Sequence, residues 1–339
     1  MTIDMHYHWK TGDLAEALRA RSEPPMIARI DDGTEVLIGM GPEKPVEKAF
    51  HIAAQHIASM DRFGIDQALL SMQPGFGSIE RLPVDESIPL VQAYNNGVSK
   101  LCREHPDRFS AVAALPLVNI AAAATEFERA LSLPGMVGAM LPGDAFLTYE
   151  NAQAYRPLLE VAQRNGALVF IHRARAPGIA SNRPARDVDS FTERDSTLDM
   201  QSSLSSIMVT ICLSDLLDDY PDAMILTHNL GGNIPYEVER MDHRSEERHP
   251  CRELPSSRFR RAPVMLDCNS FGPRAIESAV EVFGAEKFVF GSDGTAFGLD
   301  WSLKAVNNAR IGDAAREAIL RGNAAALLDR LTNLRQAAE

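Results

Sequence analysis

The chain has 339 residues, 45% of them hydrophobic and 24% charged, and a formal net charge of −12. This composition gives a globular protein with material for a large core, and it argues against nucleic acid or anionic membranes as partners, since both call for basic patches. The four cysteines (Cys102, Cys212, Cys251 and Cys268) are scattered with no Cys-x-x-Cys pair, which excludes a disulfide framework or thiolate zinc site and fits a reducing compartment.

The first residues carry no basic region followed by an apolar run, and no apolar stretch approaches the roughly 18–20 residues needed to cross a bilayer. A soluble, cytoplasmic protein is expected. The length allows two domains, but α/β barrels commonly run this long as one, so residues 1–339 are read as a single domain.

In chain order, Ile3 to His8 is a short apolar run ending in two histidines one residue apart. Alternation along a strand sends His6 and His8 to the same face. Lys10 to about Pro45 is polar and rich in turn residues, a surface excursion with a short helix at Asp13 to Ala20. Ile52, Ile57, Met60 and Phe63 form the apolar face of a helix stopped by Gly64, and Gln67 to Met72 is a buried strand.

The helix–strand unit then repeats. Leu90 to His105, Ala121 to Leu133 and Pro157 to Asn165 are helical; Phe109 to Leu115, Met136 to Leu141 and Ala167 to His172 are strands. A long polar loop, Arg173 to about Gln201, leads to a helix reaching roughly Asp219. Strands at Met224 to His228, Val264 to Cys268 and Phe288 to Ser292 alternate with helices at Ile234 to Arg248 and Arg274 to Phe283, and two or three helices follow from Ser302. Strands apolar throughout imply burial on both faces. No Gly-x-Gly-x-x-Gly follows any strand, which disfavours an open doubly wound sheet. The expected fold is an α/β (β/α)8 TIM-type barrel with long loop insertions (10–45 and 173–201) and extra C-terminal helices.

In such barrels the chemistry collects where strands end. Here the first strand ends in His6 and His8, the fifth in His172 and the sixth in His228; the seventh ends in Asp267, Cys268 and Asn269, and the eighth runs into Asp293. Imidazole and carboxylate together suit one divalent ion, most simply zinc, or manganese where more oxygen ligands and water join. His6, His8, His172 and Asp293 would hold it, leaving His228 as acid, base or polarising donor. The alternative makes His228 a fifth ligand and Asp293 the base. His51, His56, His105, His243 and His249 are read as packing or surface residues. Arg173 and Arg175 are placed to neutralise a substrate carboxylate, or to be solvated loop arginines.

Five pieces in order carry a resemblance: Ile3-Asp4-Met5-His6-Tyr7-His8, Val169-Phe170-Ile171-His172, Leu226-Thr227-His228-Asn229-Leu230-Gly231-Gly232-Asn233-Ile234-Pro235-Tyr236, Phe290-Gly291-Ser292-Asp293 and Arg321-Gly322-Asn323-Ala324. Across essentially the whole chain the sequence resembles the amidohydrolase superfamily, in the branch related to α-amino-β-carboxymuconate-ε-semialdehyde decarboxylase. The resemblance implies His6, His8, His172 and Asp293 as metal ligands, His228 as the catalytic histidine, Arg240 as a substrate-binding arginine, and a homodimer. The chain departs from the pattern after Asp293, where Gly294-Thr295-Ala296 stands in place of an aromatic and a proline, so no particular substrate is implied. The expected activity is metal-dependent, non-oxidative decarboxylation of an unsaturated or aromatic carboxylic acid. Hydrolysis of a lactone, ester or amide by metal-bound hydroxide is the alternative, and a non-catalytic metal-binding barrel the third reading.

Overall fold

The computed structural model describes residues 2–39, 44–46, 52–73, 78–179, 193–269, 271–294 and 298–338. Eight parallel strands stand side by side in chain order: β1 (Thr2–Trp9), β2 (Ile65–Met72), β3 (Phe109–Ala113), β4 (Met136–Pro142), β5 (Leu168–His172), β6 (Met224–Thr227), β7 (Val264–Asp267) and β8 (Phe288–Val289). The ring is closed where the Met5 N–H donates to the Phe290 carbonyl at 2.8 Å and the Asp293 N–H to the His6 carbonyl at 2.9 Å. Helices flank the strands, so the chain is a (β/α)8 barrel, as the alternation of apolar runs and helical patterns predicts.

Burial explains why the strands read as continuous apolar runs. All of β1, β5 and β6 is buried, one face against the helices and the other inside the barrel. The buried Phe170 ring meets the His6 ring edge-on at 5.1 Å, which places the histidine within the barrel mouth. The Arg321-Gly322-Asn323 motif acts on the last strand: the Asn323 side-chain amide donates to the carbonyls of Ala285 and Phe288 at 2.8 and 2.7 Å. It thereby fixes the start of β8.

Three expectations need correction. The Lys10–Pro45 stretch contributes no strand to the barrel and holds the expected short helix, but its described residues also form strands that its sequence does not announce. Its helix, Gly12–Arg19, buries Leu14 and Leu18 completely and packs on the helix Val84–Glu104, and Met26–Arg29, Glu35–Ile38 and Lys44–Pro45 form a small antiparallel sheet. Four-residue strands give too short an alternation to stand out from a polar background. The helix expected from Leu90 begins at Val84 and runs through Pro89, so a proline near a helix start does not mark its boundary. Finally, the residues ahead of Gln201 are already helical from Glu193 among the described residues, and that helix ends at Leu213 rather than near Asp219.

Candidate metal centre

His6 and His8 on β1 and His172 at the end of β5 bring three imidazoles together at the carboxyl ends of the strands. His6 Nε2 lies 3.3 Å from His8 Nε2 and 3.1 Å from His172 Nε2. The opposite ring nitrogens are anchored: His6 Nδ1 on Asp267 Oδ2 at 2.7 Å, His8 Nδ1 on Ser71 Oγ at 2.9 Å, and His172 Nδ1 on the Arg173 carbonyl at 3.1 Å. With Nδ1–H donated to the carboxylate and the carbonyl, the Nε2 lone pairs converge on one point. Metal–nitrogen bonds of about 2.0–2.1 Å in a tetrahedral site set ligand nitrogens about 3.4 Å apart. The observed spacings are close to that, so the donor set fits a single ion.

Electrostatics point the same way. Burial, and then the charge of His6, pull His8 and His172 well below the usual imidazole range. Burial opposes the charge on His6 too, but the Asp267 carboxylate outweighs it and pushes His6 up to about 9. The cluster therefore holds a single extra proton, on His6, and a cation binding there would displace it from Nε2.

Asp293 adds an anion. Its φ of 52° is left-handed, a conformation that aspartate tolerates better than most residues. Its Oδ1 lies 3.5 Å from His8 Nε2 and is buried without a hydrogen-bond partner among the described residues. Such an orphaned oxygen beside three converging lone pairs is what a bound cation would satisfy. Burial first, together with the nearby Asp267, raises its carboxyl to about 6 despite the opposing effect of His6.

His228 stands next to the cluster and outside it. Its ring stacks on His172 with centroids 4.2 Å apart and planes 5° from parallel. Its Nε2 accepts the Arg173 backbone N–H at 2.8 Å, so Nδ1 carries the ring proton, and Nδ1 makes no hydrogen bond of ordinary geometry among the described residues, with the Asn229 side chain beside the ring. Burial, then His172 and His6, keep this imidazole neutral.

The arginines sit elsewhere. The Arg173 guanidinium is turned to the carboxylate and carbonyl of Asp195 at 3.2 Å. Arg175 and Arg240 are exposed, the latter on the helix Ile234–Arg248. Among the remaining histidines, His56 Nδ1 lies 2.8 Å from the Tyr7 hydroxyl and its ring packs on Trp9; His105 lies beside Phe109; His243 and His249 are exposed. His51 lies outside the described residues.

Sequence reading assigned no role to Asp267, Asn269 or Ser71. Asp267 is fully buried and receives His6 Nδ1–H on one oxygen and the backbone N–H groups of Asn229 and Asn269 on the other, at 3.0 and 3.1 Å. The Asn269 amide lies 2.9 Å from the same His6 nitrogen. The available signal was position at a strand end, which Asp267 shares with the histidines. Gly291, just past the last strand, makes the His6–Asp267 contact feasible: a Cβ there would stand 2.8 Å from the Asp267 Cβ and 2.9 Å from the His6 Cβ.

Comparison with known proteins adds the family context. A family model described as "Amidohydrolase" matches residues 3–330. The gamma-resorcylate decarboxylase of Rhizobium sp. is 25% identical over 279 residues, spanning 78% of this chain and 83% of that protein. Among solved structures, 5-carboxyvanillate decarboxylase LigW from Sphingomonas paucimobilis superposes with a TM-score of 0.75 at 21% identity, covering 97% of this chain and 98% of that one. The dihydroxybenzoic acid decarboxylase of Polaromonas sp. JS666, solved with manganese and 2-nitroresorcinol, gives 0.71 at 21% identity, covering 97% and 96%.

Proposed function

The chain belongs to the amidohydrolase family, and from that premise we propose that it is a metal-dependent, non-oxidative decarboxylase of a small aromatic carboxylic acid. The observation that carries the reading is the convergence of three Nε2 lone pairs and an orphaned Asp293 oxygen beside the neutral His228. The curated relatives matched over most of their length are gamma-resorcylate decarboxylases. His6, His8, His172 and Asp293 would hold one divalent ion. Zinc suits the nitrogen-rich set; the Polaromonas relative was solved with manganese.

When bound, the ion supplies positive charge that draws electron density from the substrate's oxygens. The protein groups then handle the proton. A proton goes to the ring carbon that bears the carboxylate; the bond to the carboxylate carbon breaks with its electron pair returning to the ring, and carbon dioxide leaves. The balance needs no oxidant. The Asp293 carboxylate oxygen turned away from the ion would carry that proton, and the Nδ1–H of His228 would polarise the substrate opposite. Arg173 contributes through its backbone N–H, which fixes the His228 ring. Arg240, exposed on its helix, would bind the substrate carboxylate at the interface of the homodimer implied by the resemblance. No helix of the described residues is long and apolar enough to cross a membrane, and a cytoplasmic location is part of the same reading.

The test is product analysis with protein reconstituted in Mn²⁺ or Zn²⁺. Dihydroxybenzoates, carboxyvanillate and muconate-type acids should release carbon dioxide, while lactones should remain intact. Lactone hydrolysis without carbon dioxide would overturn the reading. His228→Ala should lose at least about a hundredfold in turnover, the ordinary worth of a preorganised donor facing developing negative charge, while binding one equivalent of metal. Loss of the metal in that variant would make His228 a ligand instead.

A further inference from the structure

We propose that Asp267 is a positioning residue that couples metal occupancy to the placement of His228. The inference rests on the metal centre proposed above. One carboxylate serves both halves of the site: Oδ2 receives the Nδ1–H of His6, and Oδ1 receives the backbone N–H of Asn229, the residue following His228.

The segment after His228 is held in an unusual shape. Asn229, Leu230, Gly231 and Gly232 have φ values of 53°, 54°, 73° and 76°, four consecutive residues with positive φ. For Asn229 and Leu230 this conformation costs free energy and persists only where the surroundings impose it. The Asn229 N–H bond to Asp267 is one such constraint, in a place where both groups are buried. Moving the carboxylate thus moves the turn, and with it the direction in which His228 presents its Nδ1–H.

The other end of Asp267 senses the metal. A cation at His6 Nε2 withdraws electron density from the ring, which makes Nδ1–H a stronger donor and tightens its bond to Oδ2. The Asp267 side chain is buried and has little room on the Gly291 side, where a Cβ would stand 2.8 Å from its Cβ and 3.0 Å from its Cγ. Tightening at Oδ2 therefore limits the excursions of Oδ1 and of the Asn229 N–H that it holds. A second path exists: His172 bonds to the Arg173 carbonyl and stacks on His228, whose Nε2 takes the Arg173 N–H. The two paths make different predictions.

The experiment measures deuterium uptake in peptides spanning Thr227–Gly232, with and without saturating Mn²⁺, alongside Mn²⁺ affinity, in the full-length protein. In the wild type, Mn²⁺ should slow exchange of this segment about fivefold or more, the lower end of ordinary coupling between sites. Asp267→Asn should weaken Mn²⁺ binding about 10–100-fold and abolish the slowing even when the metal sites are filled. Ser71→Ala, which removes the support of His8 alone, should weaken binding but keep the slowing. Wild-type protein that binds Mn²⁺ without slowing exchange would overturn the proposal, and it does so even if Asp267→Asn fails to fold. Slowing that survives in Asp267→Asn at saturation would overturn it too and assign the coupling to His172. Wild-type protein that binds no divalent metal would instead remove the metal-centre reading on which the proposal stands.

Discussion

Glu80, in a short helical turn behind β2, is half-buried and has its carboxyl raised to about 7 by burial, against the smaller opposing effects of its own backbone and of Arg81. A carboxyl whose pKa is raised on folding binds more protons folded than unfolded between roughly pH 4.5 and 7. Its contribution to stability therefore falls as pH rises through that window. Glu80→Gln should leave melting unchanged near pH 4 and stabilise the protein by about 1 kcal/mol at pH 8, less than full conversion because the side chain keeps some water contact. Melting temperatures from pH 4 to 8 check this; a difference independent of pH would refute it. At this scale the sequence was legible where a residue's role follows from its own strand. His6 and His8 are readable because alternation alone puts them on one face. Ser71 and Asp267 are not, since their roles depend on which neighbouring strand lies beside which histidine. Nor could the sequence show that the Arg173 guanidinium is taken up by Asp195.

At the scale of elements, strands buried on both faces announce themselves as apolar runs, and all eight were legible for that reason. Elements with one weakly buried face did not. The strand Met26–Arg29 buries only Ile27, and Glu35–Ile38 only Val36, too little signal against a charged background. Within the barrel, Gly138 on β4 marks a feature that apolarity does not reveal. It pairs with Leu168 on β5 and with Val112 on β3, where the β3–β4 register shifts between Ala111 and Val112. A Cβ at Gly138 would stand 2.0 Å from the Leu168 carbonyl oxygen, a backbone atom that cannot rotate away. Glycine in a strand often marks such a close approach. Gly138→Ala should force the β4–β5 pair apart and cost about 3 kcal/mol, the upper end of ordinary overpacking. Urea denaturation measures it, and a loss below about 0.5 kcal/mol would show that the strands yield without penalty.

For the whole molecule, the decisive contact is the seam between the first and last strands. The β1–β8 junction rests on two backbone bonds, from Met5 to Phe290 and from Asp293 to His6, and on the buried Asp4 carboxylate, which accepts the His6 and Ser292 N–H groups at 3.0 and 3.1 Å and the Ser292 hydroxyl. The proposed ligands straddle that seam, with His6 and His8 before it, Asp293 after it, and His172 across the barrel. An ion held by this set would tie the two ends of the fold together, and the unfolded chain has no comparable site. Ligand bound only by the folded state stabilises it by about 2.7 kcal/mol at a free concentration one hundred times Kd. For a chain of this size that corresponds to a rise of about 4 °C in Tm. Mn²⁺ or Zn²⁺ added to chelator-treated protein should raise the melting temperature by about that amount, and a chelator should reverse it. His8→Ala should abolish the increment, because it removes one of the three converging nitrogens. His228→Ala should keep it, because that imidazole lies outside the converging set. An equal increment in both variants would place the stabilising ion elsewhere in the molecule.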